Sequence, residues 1–201
     1  MWEEFDAYDI GFNRDRISKR TNEYLNGIFE DELFTKLSQR ILYLKKEKQN
    51  ICLINQQILE LKRFLLLKAL VPSLEMYSPS IDNLWHESIL FTKNYNEFCH
   101  KLKGDFIHHN PNLHSTVNII GRYWFDWLYL FLFKPNQIGW KSWNGFMLQK
   151  LSESQIKASS YNLILEIKNT NLKGDQKYHL TEISKLLIEK LKDSNSEMSI
   201  N

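Results

Sequence analysis

The chain has only two cysteines, Cys52 and Cys99, and they are not spaced as a metal-binding pair. That excludes a disulfide scaffold and a thiolate-rich zinc module, and both are read as reduced thiols. Glycine (7) and proline (4) are scarce over 201 residues, which argues against a turn-rich β fold and against low-complexity linkers. There is no glycine-rich phosphate loop, no His-Glu-x-x-His, no Gly-x-Ser-x-Gly elbow and no internal repeat. The 26 basic and 24 acidic residues leave a net charge of +2, without the concentrated basic surface that nucleic-acid binding needs. The opening Met-Trp-Glu-Glu-Phe-Asp is acidic and lacks the basic and apolar regions of an export signal, so a cytoplasmic location is expected. The most apolar run, residues 117–133, contains Asn118, Arg122 and Asp126, so no membrane span is expected either.

What the chain does have is 43% hydrophobic residues, ample for one core, and many Leu, Ile, Lys and Glu. These predict an all-α fold: an irregular bundle of about five to seven helices in a single globular domain. Apolar residues recur every three or four positions in 14–28, 30–48 and 50–70. On the third helix Ile54, Ile58, Leu61, Leu65 and Leu66 form the inner face, with Glu60, Lys62 and Arg63 outside. Residues 1–13 read as a docking arm, and Lys45 to Lys48 as the solvated end of the second helix. Pro72 and Pro79 bracket a linker. One continuous, buried central helix is expected over 81–102, started by Ser80 and stopped by Gly104 in the left-handed conformation. A further helix follows, capped by Ser115 or Thr116 and ended by Pro135. The glycine-flanked Trp140 and Trp143 predict a loop. Residues 161–168 read as helix, and Thr181 caps a last one. The expected organisation is a core domain over 1–150, a helical extension packed on it over 151–193, and a disordered tail over 194–201.

The densest stretch chemically is 79–111, with His86, His100, His108, His109 and Cys99. Asp82 and His86 stand four residues apart and so share one helix face. A carboxylate beside an imidazole can fix its tautomer, raise its basicity or bind a metal with it. His108 and His109 follow in a segment that Asn110-Pro111 biases away from helix. Neighbouring side chains of an extended segment point to opposite faces, so at most one of the two is expected to reach His86. On one continuous helix His86 and Cys99 lie about 220° apart, which makes Cys99 packing rather than a ligand. His100 is read as a partner of the helix dipole, and His114 and His179 as surface residues. Trp85, Tyr95, Arg122 and Asp126 are expected around the site, with Arg122 and Asp126 pairing if buried.

The strings Asp82-x-x-Trp85-His86, Phe91-Thr92-x-x-Tyr95-x-x-Phe98-Cys99 and Gly104-x-Phe106-Ile107-His108-His109-x-Pro111 resemble the core segment of the glycine-rich domain-containing protein-like family, its bacterial members above all. The resemblance covers about residues 71–112 and implies no defined activity. Plant members share mainly the Asp-x-x-Trp-His part, and they carry a second histidine where this chain has Ser88. The glycine-rich tail is absent.

Three functions fit these residues. In the first, Asp82, His86 and His108 or His109 hold a divalent metal, zinc or iron by the chemistry of imidazole and carboxylate. In the second, the cluster is structural, and the protein works by binding another protein through Trp140 and Trp143. In the third, His86 is a general base oriented by Asp82.

Overall fold

The computed structural model describes residues 9–13, 16–44, 50–110 and 117–197, with side chains as far as 193. Among these residues there are nine helices and no strand, apart from an isolated antiparallel bridge between Phe12 and Phe133. The fold is all-α in one globular arrangement, with more helices than the sequence predicts. Lys45 to Lys48, His114, the caps Ser115 and Thr116, most of the expected arm and the end of the tail lie outside the described residues.

The hub is α3 (Ile51–Leu70), N-capped by the Asn50 side chain, which accepts from Cys52 N–H at 2.9 Å. Every residue from Ile58 to Leu70 is buried. A helix buried all round must be covered on every side. Here α2 (Glu32–Leu44), α4 (Pro79–Ile89), α5 (Thr92–Lys103), α6 (Ile119–Leu132) and α7 (Gln137–Ser142) supply the cover. Leu61, Leu65 and Leu66 are fully enclosed, and truncating such a side chain to alanine typically costs about 2–5 kcal/mol. The central element is therefore α3 rather than the 81–102 segment. It follows that Glu60, Lys62 and Arg63 are buried, not on an outer face. Their three positions look outward only while the helix has one covered side.

At the margin, α1 (Lys19–Phe29) leans on α5 and on α9 (Lys177–Glu197), and α8 (Glu153–Asn169) packs on α9. The helix expected at 161–168 is part of α8, which opens with a capping box between Ser152 and Gln155. α9 begins at Lys177, so Thr181 lies inside it, and it continues past Ser194 to Glu197. His179 is buried rather than on the surface, stacked on Tyr24 with ring centroids 4.0 Å apart. Its Nδ1 stands 2.7 Å from the Thr21 hydroxyl. That hydroxyl has one hydrogen, and it donates to Glu182 at 2.6 Å; the proton between Thr21 and His179 is then on Nδ1. α6 is capped by Asn118, whose side chain accepts from Gly121 N–H. Its 14 residues span about 21 Å, short of the roughly 30 Å of a bilayer's hydrocarbon core. No helix among the described residues is long and apolar enough to cross a membrane.

The expected helix over 81–102 is two helices. Ser88 donates its hydroxyl back to the Trp85 carbonyl at 2.7 Å, and Phe91 N–H bonds to the Ser88 carbonyl at 3.1 Å, tightening the end of α4. The break serves packing. The Trp85 indole N–H donates to the Tyr95 hydroxyl at 2.8 Å. Ten residues apart on one straight helix, the two would be about 15 Å from each other.

Candidate functional site

The α4–α5 hairpin sets up the site. Tyr95, which accepts from Trp85, passes its own proton to the Ile107 carbonyl at 2.7 Å. Burial pushes the Tyr95 phenol far above its usual pKa, so it stays a neutral donor. Gly104 turns the chain at the end of α5 with φ of 78°, the left-handed conformation that its sequence position predicts. A Cβ at Gly104 would lie 2.5 Å from the Lys173 carbonyl oxygen, so close packing also requires glycine there. These two constraints carry residues 106–109 back over α4.

His109 is the member of the pair that arrives. Its Nε2 is 2.7 Å from Asp82 Oδ1, and its ring lies against those of Trp85 and His86, with centroids 4.4 and 4.3 Å away. A carboxylate only accepts, so in this contact Nε2 carries the proton. His86 Nδ1 stands 3.8 Å from Asp82 Oδ2, too long for a hydrogen bond. Ligand atoms of Asp82, His86 and His109 all lie within 4.8 Å of one another. Exposure is graded: the side chain is 53% exposed for His86, 30% for Asp82 and 10% for His109. The cluster thus has a buried wall of Trp85 and His109 and an open side at His86.

The other expected members are elsewhere. His108 points away, with its exposed ring beside Phe106 at 4.9 Å, because the extended backbone alternates its side chains. Arg122 and Asp126 do pair, with Nε 2.9 Å from Oδ1, but their bonds secure the turn after α7 rather than the histidines. Arg122 Nη2 donates to the carbonyls of Trp143 and Gly145, both at 2.6 Å, and Asp126 Oδ2 accepts from Met147 N–H at 2.8 Å. Burial raises the Asp126 carboxyl above its usual pKa against the pull of Arg122. Trp140 is 44% exposed, whereas Trp143 is fully buried. Trp143 therefore cannot form a docking surface with Trp140, and the expected loop is largely the short helix α7. Cys99 is buried, and desolvation pushes its thiol up to about 11, which suits packing and not ligation. His100 is exposed in the last turn of α5.

Sequence reasoning missed the largest polar network. Glu60, fully buried, accepts from Arg63 at 3.0 Å, from the Tyr129 hydroxyl at 2.7 Å and from the Trp143 indole at 2.8 Å. Arg63 also donates to Tyr129 at 2.7 Å and to the Ile10 carbonyl at 2.8 Å. The available signal was the Glu60–Arg63 spacing, three residues apart in the middle of the longest apolar helix.

A family model described as UCP032817-like matches residues 19–118. The matched stretch contains α1 to α5 and with them Asp82, His86 and His109, and ends before α6. This match overturns the resemblance to the glycine-rich domain-containing protein-like family. That resemblance rested on short strings whose aromatic and histidine residues serve the hairpin and its returning turn. No curated protein and no solved structure matches the chain.

Proposed function

We propose that this protein binds a divalent metal ion through Asp82, His86 and His109. The observation that carries the proposal is the convergence of one carboxylate and two imidazoles, from two separate segments, to within 4.8 Å. In a tetrahedral site with bonds of about 2.1 Å, donor atoms lie about 3.4 Å apart. The Asp82–His109 separation of 2.7 Å lies below that value and all three donor atoms lie within 4.8 Å of one another, so the side chains need only adjust their spacing to take up a metal. Two nitrogens and one oxygen suit zinc or iron(II). Three protein ligands leave a position for water on the His86 side, where a metal would act as a Lewis acid or lower the pKa of that water. Binding requires His109 to give up the Nε2 proton it now shares with Asp82, so affinity should fall with acidification.

A second reading has its own support: the Asp82–His109 bond already clamps the returning turn to α4. In that reading the cluster is structural, and the protein acts by contacts with another protein, through Trp140 without Trp143. Metal analysis of untagged, full-length protein separates the two. Stoichiometric zinc or iron, lost in His86→Ala and Asp82→Asn but retained in His108→Ala, supports the metal reading. Metal-free protein whose melting is unmoved by added zinc or iron(II) leaves only the structural one.

A further inference from the structure

A second site lies where the corner between α1 and α2 faces α3. A cavity of about 260 Å³ opens there, walled by Phe29, Phe34 and Ile58 and lined at one side by Ser38 and Asn55. Lys62 closes it from the α3 side. This lysine is only 6% exposed, and its ammonium stands 4.8 Å from the centre of the Phe34 ring. Among the described residues it has neither a hydrogen bond nor an ion pair. The comparison with Lys68, one of the other buried cations of the same helix, is informative: Lys68 is tied to the Leu74 carbonyl at 2.6 Å. Lys62 has the face of the Phe34 ring beside its ammonium and lines an open space.

Two carboxylates, Glu30 and Asp31, line the same cavity. Asp31 is already engaged by Lys101 at 2.5 Å and by Leu33 N–H at 3.0 Å. Glu30 is exposed. Their charge opposes the entry of an anion, which argues against a simple carboxylate or phosphate site. Desolvation lowers the Lys62 ammonium to about 8, with Glu30 acting in the opposite direction, so a useful fraction is free amine near neutral pH.

We propose that Lys62 is a nucleophilic amine whose cavity accepts a small neutral aldehyde or ketone with an apolar substituent. The lone pair of the amine adds to the carbonyl carbon, forming the C–N bond, while the C=O π pair moves to oxygen and takes up a proton. That first proton is one of the amine's two; the hydroxyl then leaves as water with the second, and the nitrogen lone pair forms the C=N bond of the imine. The step is a reversible condensation and needs no oxidant. Phe29, Phe34 and Ile58 hold the apolar part of the compound, and the Asn55 amide, whose oxygen accepts from Ser38 at 3.1 Å, keeps its N–H groups for the carbonyl oxygen.

The test uses the full chain, benzaldehyde as the probe and sodium cyanoborohydride to trap any imine as a stable amine, read lysine by lysine by peptide mass analysis. Lys62 should be labelled about tenfold faster than the exposed Lys19 and Lys93, with a rate that saturates in benzaldehyde. Lys68 should remain unlabelled. Thr35→Trp, at an exposed position on the cavity mouth, should slow Lys62 about tenfold and leave Lys19 unchanged. Labelling of Lys62 no faster than Lys19 and Lys93, or a rate that rises linearly with benzaldehyde, overturns the proposal. So does a folded Thr35→Trp protein that labels as the parent does. Should Thr35→Trp not fold, the saturation and the ratio to Lys19 in the unaltered chain decide.

Discussion

Glu60 and Asp82 each gather basic and aromatic side chains, one at the centre of the bundle and one at its edge. Around Glu60, both carboxylate oxygens are engaged by Arg63, Tyr129 and Trp143, and every member of the ring is buried. Around Asp82, one oxygen meets His109, and among the described residues the other has only His86 at 3.8 Å on the open side. The first arrangement is closed: it joins α3, α6 and the residue after α7, and both oxygens of its carboxylate are taken. The second keeps unused lone pairs beside solvent. The same residue classes thus make architecture in one place and a candidate binding centre in the other, and what separates them is how completely the carboxylate is satisfied.

The largest effect should come from breaking the closed ring. Glu60→Ala leaves Arg63 buried without its carboxylate, and unfolding by urea should show a loss of about 3–5 kcal/mol. A loss below about 1 kcal/mol would place the ring among ornamental contacts and erase the contrast. A smaller effect is expected at the open cluster. His109→Ala removes a partly buried bond and should cost about 1–2 kcal/mol, while His108→Ala should stay within about 0.5 kcal/mol. Equal melting temperatures for the two variants would mean that the inward and outward histidines are energetically alike.

The smallest effect concerns the α1–α9 seam and sharpens the comparison with a third carboxylate. Burial disfavours the Glu182 anion, but hydrogen bonds from Thr21 and from Ser18 N–H and hydroxyl prevail and lower its pKa below the usual 4.5. The stability this supplies is present above 4.5 and lost as pH falls through the lowered value. His179 is lowered from 6.5 chiefly by burial and then by Arg20, against Glu182. Its neutral form suits the fold, so its contribution is intact above 6.5 and is lost as pH falls from there through the lowered folded value. Melting temperature should therefore decline slightly from about pH 7 to 5.5 and further below 4.5, and His179→Gln should remove the first part. A rise over the first interval would contradict the assigned sign.

Much of the local structure was legible. The α3 span follows from periodicity, though its Asn50 cap was not read, and Gly104 follows from the demand for positive φ. The Asp82–His86 face follows from helical spacing, and the rule that only one of two adjacent histidines can reach it follows from strand-like alternation. What could not be read was which surface is covered by distant parts of the chain. Glu60 and Arg63 look exposed on a helical wheel, yet α6, the residue after α7 and the Ile10 carbonyl, contributed from far along the sequence, cover them, and Lys62 is covered at the α1–α2 corner by Phe34. The break after α4 has no proline or glycine to announce it. Its cause is tertiary, the meeting of Trp85 with Tyr95, and with it went the premise of a single wheel carrying both His86 and Cys99. Trp143 was misread as a possible docking residue because its partner Glu60 is 83 positions away.

The tight fit at Gly104 bears on how this chain can be divided. The turn that delivers His109 nests under residues 173–176: Lys173 N–H bonds to the Lys103 carbonyl at 3.3 Å, and the Gln176 amide bonds to the His100 carbonyl at 3.1 Å. A fragment cut at residue 118 would keep every proposed ligand and the entire family-matched stretch. It would also lose the seat of that turn and strip α6 and α7 from α3, leaving Phe64 without the Phe125 and Trp143 rings that cover it. The boundary of sequence similarity and the boundary of the cooperative folding unit are different lines, and expression of the matched segment alone would yield a protein with an opened core.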